Sequence, residues 1–201
     1  MKIKPEYKTW IELEKRALRH NIETFRSTLK KQTKLFAVVK SNAYGHGLVD
    51  FSKIADEFGV DGFCVDSVIE GLKLRNANIK KPILVLGPSS TNEQLKLARI
   101  TGITLTVSNL DVLKKFLRNR FTPDFHLKID TGMHRQGFYL GDLPNALRLI
   151  KKSKLKNCLK GIYTHFAAAK DVTYPDYTLR QLKEFKNAID LCRKTGFHNL
   201  I

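Results

Sequence analysis

What this sequence lacks narrows it before any motif is read. Cysteine is scarce: Cys64, Cys158 and Cys192 are widely spaced and contain no CxxC pair. Neither a disulfide framework nor a metal site is therefore expected, and all three read as small buried hydrophobes. No apolar run approaches the roughly 18 residues of a membrane-spanning helix, and the charged start "MKIKPEYKTW" leads into no apolar h-region. Neither a membrane partner nor a signal peptide is expected, and the cytoplasm is the expected compartment. Acidic residues are outnumbered, 19 against 36 lysines and arginines, giving a net charge of +17. Such a chain could bind nucleic acid. Yet the lysines are spread over nearly every helical segment, and the densest run, "KKSKLKNCLK" at 151–160, has no interleaved aromatics for base stacking. A solvated basic surface without a nucleic-acid partner is the expectation. Low-complexity linkers and long repeats are also missing, so no domain boundary is expected, and 42% hydrophobic content suffices for one sizeable core.

What is present is an alternation. Short β-rich runs recur as "LFAVVK" from Leu35, "DGFCV" from Asp61, "ILVLG" from Ile83, "ITLTV" from Ile103, "FHLKID" from Phe125 and "GIYTHF" from Gly161. Helical patterns lie between them. Leu18, Ile22, Phe25 and Leu29 form one apolar stripe, and Leu179, Leu182, Phe185, Ile189 and Cys192 another. Thr91 with Gln94 reads as a capping box, and Ser108 as the cap of a helix carrying Val112, Leu113, Phe116 and Leu117. The alternation predicts an α/β fold with a parallel sheet, doubly wound or closed as a (β/α)8 TIM-type barrel. Six strand–helix units are legible, and "FHNLI" at 197–201 reads as the approach to a seventh strand. Since a closed barrel takes about 250 residues, an incomplete one is expected.

In parallel α/β folds chemistry sits at the carboxyl ends of strands, where Lys40 follows Phe36, Ala37, Val38 and Val39. Gly45 and Gly47 allow a tight turn, and Tyr44 adds an aromatic body with a hydroxyl tip. A partly desolvated lysine there could form a Schiff base with a carbonyl cofactor. In "FHLKID" the period of two puts His126, Lys128 and Asp130 on one face, which is costly unless that face lines a polar interior or site.

These residues resemble the alanine racemases. "AVVKSNAYGHG", preceded by "TWIELEKRALRHNIETF", is similar to the start of that family; "HLKIDTGMHRQGF" at 126–138 resembles its second signature and "GIYTHFAAAKD" at 161–171 its third. The resemblance implies a racemase interconverting L-alanine and D-alanine on pyridoxal 5′-phosphate, homodimeric when whole and supplying D-alanine for peptidoglycan. It implies that Lys40 carries the cofactor and acts as one catalytic base, with Tyr44 on the cofactor phosphate; a packing aromatic is the other reading of Tyr44. Arg135 would donate to the cofactor's phenolic oxygen, and His165 would help to position an arginine beneath the pyridine nitrogen. Lys128 matches a lysine that many members carry as a carbamate; a plain pair with Asp130 is the alternative. Thr131, Met133 and Asp171 would at most line the site.

The pattern also departs from the family's. His134 and Gln136 replace the commoner small and apolar residues of "GMGRLG", and Lys170 stands where an acidic residue is usual. The phosphate-binding Asn and Ser, the arginine facing the pyridine nitrogen and the C-terminal β-domain with its second-base tyrosine would all follow residue 201. The chain is therefore expected to be a fragment, inactive alone as a racemase. A non-catalytic pyridoxal-phosphate-binding barrel is the alternative function.

Overall fold

In the computed structural model, residues 8–173 and 175–201 are described. Most of the charged start read above, residues 1–7, lies outside them. The chain groups into two compact units, one ending at Pro82 and the other beginning at Ile83. Among the described residues no helix is long and apolar enough to cross a membrane.

The first unit contains α1 (Lys15–Thr28), β1 (Phe36–Val38), a short turn α2 (Lys40–Tyr44), α3 (Leu48–Glu57), β2 (Gly62–Val65) and α4 (Val68–Asn76). β1 and β2 pair in parallel, Phe36 opposite Gly62 and Val38 opposite Cys64. Gly62 leaves room for the Phe36 side chain: a Cβ on it would lie 2.5 Å from that ring. Phe63, Val65, Val68 and Leu74 are almost fully buried, each contributing about 1.5–3 kcal/mol as apolar surface leaves water. Along α1 the expected stripe is only partly used. Ile22 is buried, whereas Phe25 is 64% exposed.

The second unit contains β3 (Ile83–Val85), α5 (Asn92–Thr101), β4 (Leu105–Val107), α6 (Leu110–Arg118), β5 (Phe125–Lys128), α7 (Leu143–Lys151), β6 (Leu159–Tyr163) and α8 (Asp176–Lys194). β4, β5 and β6 run parallel in that order, and Leu84 bridges to Thr104. Phe116 of α6 meets Phe125 of β5 edge to face, ring centres 5.5 Å apart. The Thr91–Gln94 capping box is present at α5. The cap of α6 is Asn109 rather than Ser108: its side-chain oxygen accepts the Val112 N–H at 2.9 Å, one residue later than the sequence suggested.

"FHNLI" behaves as expected of an incoming strand. The Ile201 N–H donates to the Lys160 carbonyl and the Ile162 N–H to the Ile201 carbonyl, both at 3.0 Å. Cys64 and Cys192 are buried, Cys158 is half-buried, and all three thiols are free.

Candidate functional site

The turn after β1 is built on strain. Val39 is fully buried, and its N–H donates to the Cys64 carbonyl at 2.8 Å. Beyond Lys40 the backbone turns left-handed: Ser41, Asn42, Ala43 and Tyr44 have φ of 53°, 57°, 53° and 54°, and Gly45 then takes 98°. Each L-residue in that region costs about 1–2 kcal/mol, so four in succession persist only where neighbouring contacts fix them, which is typical of functional segments. The Asn42 carbonyl accepts from the N–H groups of Gly45 (3.1 Å) and Gly47 (3.0 Å), and its side-chain oxygen accepts the Leu48 N–H at 2.9 Å. Ala43 packs inward at 2% exposure. Lys40 is thereby held half-buried at the strand's carboxyl end, and Tyr44 stands 62% exposed.

The loop after β5 is built on a carboxylate. Asp130 accepts three backbone N–H groups, from Gly132 (2.9 Å), His134 (3.0 Å) and Arg135 (3.1 Å). Burial pushes its carboxyl up, and these bonds more than offset that, leaving it below the ordinary value. The loop rejoins the strand when Phe138 donates to the Lys128 carbonyl and Asp130 to the Phe138 carbonyl, at 2.8 and 2.9 Å. Gly137 permits this approach: with φ 140°, a Cβ on it would lie 2.5 Å from the Asp130 nitrogen. His134 sits at φ 53°, which accounts physically for the small residue commoner in the resembling signature. Gln136, the other departure, donates to the Leu86 carbonyl at 3.4 Å.

The face expected to carry His126, Lys128 and Asp130 does so, opposite Phe125, Leu127 and Ile129, which are at most 1% exposed. Lys128 is 6% exposed, its ammonium 5.9 Å from the centre of the Tyr163 ring. The Tyr163 hydroxyl is 2.9 Å from that of Thr106, which donates to the Val85 carbonyl. His126 lies against Gly161, where a Cβ would come 2.8 Å from its ring. Burial lowers the His126 pKa to about 4.

The loops after β5 and β6 are drawn together through Thr131 and Gly132 by Gln181, Thr164 and Tyr177, which the sequence reading missed. Gln181 of α8, 1% exposed, donates to the Thr131 hydroxyl (3.2 Å) and the His165 carbonyl (3.1 Å) and accepts the Ala167 N–H (2.9 Å). The Thr131 and Thr164 hydroxyls are 2.8 Å apart, and Tyr177 donates to the Gly132 carbonyl. The stripe expected on α8 holds only in its later part, where Cys192 is buried and Phe185 and Ile189 are half-buried. Leu179 and Leu182 are exposed, and the buried residues are Gln181, Ala188 and Cys192. Their spacing of seven and four is helical, but an amide on that face carries no hydrophobic signal. Lys128, Arg135 and His165 thus stand at adjacent strand ends of the second unit, with the Arg135 and His165 side chains exposed; Lys40 and Tyr44 share the turn of the first. Thr131 is buried within the network, Met133 is half-buried, and Asp171 is exposed beyond it.

Comparison with known proteins agrees with these signatures. The family described as alanine racemase, N-terminal domain, matches residues 13–201. The alanine racemase of Leptospira interrogans is 37% identical, across 99% of this chain and 51% of that protein, and the one from Ligilactobacillus salivarius 38%, across 89% and 49%. The crystal structure of alanine racemase from Bacillus anthracis with bound L-Ala-P superposes with a TM-score of 0.86 at 32% identity, covering 98% of this chain and 51% of that one. The parallel strand–helix series is accordingly an incomplete TIM-type barrel fold, and the chain spans about half the length of the curated relatives it matches. The chain belongs to the alanine racemase N-terminal domain family.

Proposed function

We propose that residues 1–201 form the cofactor-carrying part of a pyridoxal-phosphate-dependent alanine racemase, a single partial barrel domain that acts within a cytoplasmic homodimer. The observation that carries the reading is the left-handed turn that holds Lys40 at the carboxyl end of β1. The donor set suits the cofactor chemically: a primary amine at Lys40 for its aldehyde, a phenol at Tyr44 for its phosphate, and a guanidinium at Arg135 for its phenolic oxygen. When bound, pyridoxal phosphate supplies an electron sink for the charge left as the substrate's α-proton departs.

The chain's own residues do the rest. Lys40 would hold the cofactor through Nζ, and the same amine would take or return the substrate's α-proton on one face. The Arg135 guanidinium would donate a charge-assisted bond to the cofactor's phenolic oxygen. His165, fixed at its carbonyl by Gln181, is presented at its strand end to orient a further cation. At Lys128, addition of CO2 to the neutral amine with release of a proton would give a carbamate anion able to pair with Arg135; an intact mass in bicarbonate lacking one added CO2 removes this element. Racemisation needs a base on each face, and the second belongs to the half of the relatives that this chain does not span. Enzymatic detection of D-alanine tests the reading. Turnover is expected from the full-length protein and abolished by Lys40→Ala, and residues 1–201 alone yield none. D-alanine formed by residues 1–201 alone would overturn the division of labour.

A further inference from the structure

We infer that Glu70 is a positioning residue that holds the strained turn behind Lys40. This rests on the reading of Lys40 as the cofactor lysine only for its catalytic meaning; the clamp itself stands on geometry. Glu70 lies in the first turn of α4, with Ser67 as the helix cap accepting its N–H at 3.2 Å. In an ordinary capping box the glutamate returns to the backbone N–H of the cap residue. Here it reaches further. One carboxylate oxygen accepts the Asp66 N–H at 2.8 Å, just beyond β2; the other accepts the Asn42 N–H at 3.3 Å, within the left-handed turn beyond β1.

One carboxylate thus ties together the two strand ends, and Asn42 is the residue on which the turn hinges. Its carbonyl and side chain already serve Gly45, Gly47 and Leu48, and its N–H is held by Glu70. With its N–H, carbonyl and side-chain oxygen all engaged, Asn42 cannot relax to a right-handed conformation without breaking bonds on both sides. Lys40, two residues earlier, takes its direction from that turn. Glu70 acts on Lys40 through the backbone of the turn, by way of the Asn42 N–H.

Amide hydrogen exchange on the 201-residue chain tests the clamp, with Glu70→Ala and Glu70→Gln as variants. In Glu70→Ala, the Asn42 and Asp66 amides exchange at least tenfold faster, while those of Val39 and Phe63 keep their protection. Glu70→Gln, which retains one carbonyl acceptor, falls between. Pyridoxal phosphate trapped on Lys40 by borohydride at subsaturating cofactor drops at least fivefold in Glu70→Ala. Unchanged exchange at Asn42 and Asp66 overturns the clamp, whatever the cofactor does. Faster exchange there with no cofactor uptake even by the unsubstituted chain upholds the clamp and refutes the cofactor reading instead. If Glu70→Ala unfolds globally, Glu70→Gln decides by the same two amides.

Discussion

The turn after β1 and the loop after β5 present site residues by opposite means. The first puts four L-residues in a left-handed conformation and restrains them largely by one asparagine. The second gathers its N–H groups around a carboxylate and closes on a glycine that no other residue can replace. The difference is one of margin. In the first region strain is stored and local changes can relieve it; in the second, bonds are satisfied and most changes can only remove them.

The sharpest break comes at Gly137. Gly137→Ala combines a forbidden φ with a 2.5 Å clash against backbone, and a loss of about 4 kcal/mol is expected, measured as the urea midpoint of the chain. Asp130→Ala orphans three backbone donors and costs about 3 kcal/mol by the same measurement. Its depressed carboxyl carries stability that is present above the ordinary aspartate range and lost only as pH falls through the lower native value.

His126, on the strand that leads into that loop, gives an acid sensitivity in a different window. Its pKa is about 6.5 unfolded and about 4 folded, so the unfolded chain binds more protons between those values. Stability is complete above pH 6.5 and declines toward pH 4, by on the order of 2–3 kcal/mol. His126→Asn should flatten that part of the melting-temperature profile.

The smallest effects have the opposite sign. Ser41→Gly, at an exposed left-handed position, should stabilise by about 0.5 kcal/mol, because relief of strain slightly exceeds the entropy glycine adds to the unfolded chain. His134→Gly should do likewise, as the exception in the second region, because His134 is the left-handed side chain of that loop. A loss at Ser41 would mean the first region is not strained, and the contrast would collapse.

Much of this was legible in the sequence, for reasons the residues make plain. Apolar runs fix strands, so the six strands of the described residues were visible, and the "NAYGHG" glycines announced a turn at Lys40. The handedness of that turn was not visible, because Ser41, Ala43 and Tyr44 carry no local preference for positive φ; tertiary contacts impose it. Glu70 was readable as the fourth residue of "SVIE", a capping-box pattern, but not its second bond to Asn42. Gln181 was hidden because periodicity registers hydrophobic faces, whereas the buried face of α8 includes an amide that satisfies two loops. Asn109 shows the same limit on a smaller scale: adjacent Ser and Asn both cap well, and only the strand's end decides between them.

The central claim is that Lys40 is the cofactor lysine. Its most direct test is to incubate the purified chain with pyridoxal phosphate, reduce with borohydride and map the modified peptide by mass spectrometry, with Lys40→Ala alongside. The account predicts one pyridoxyl group, on Lys40, absent from the variant. Labelling scattered over the surface lysines, unchanged by Lys40→Ala, would contradict it.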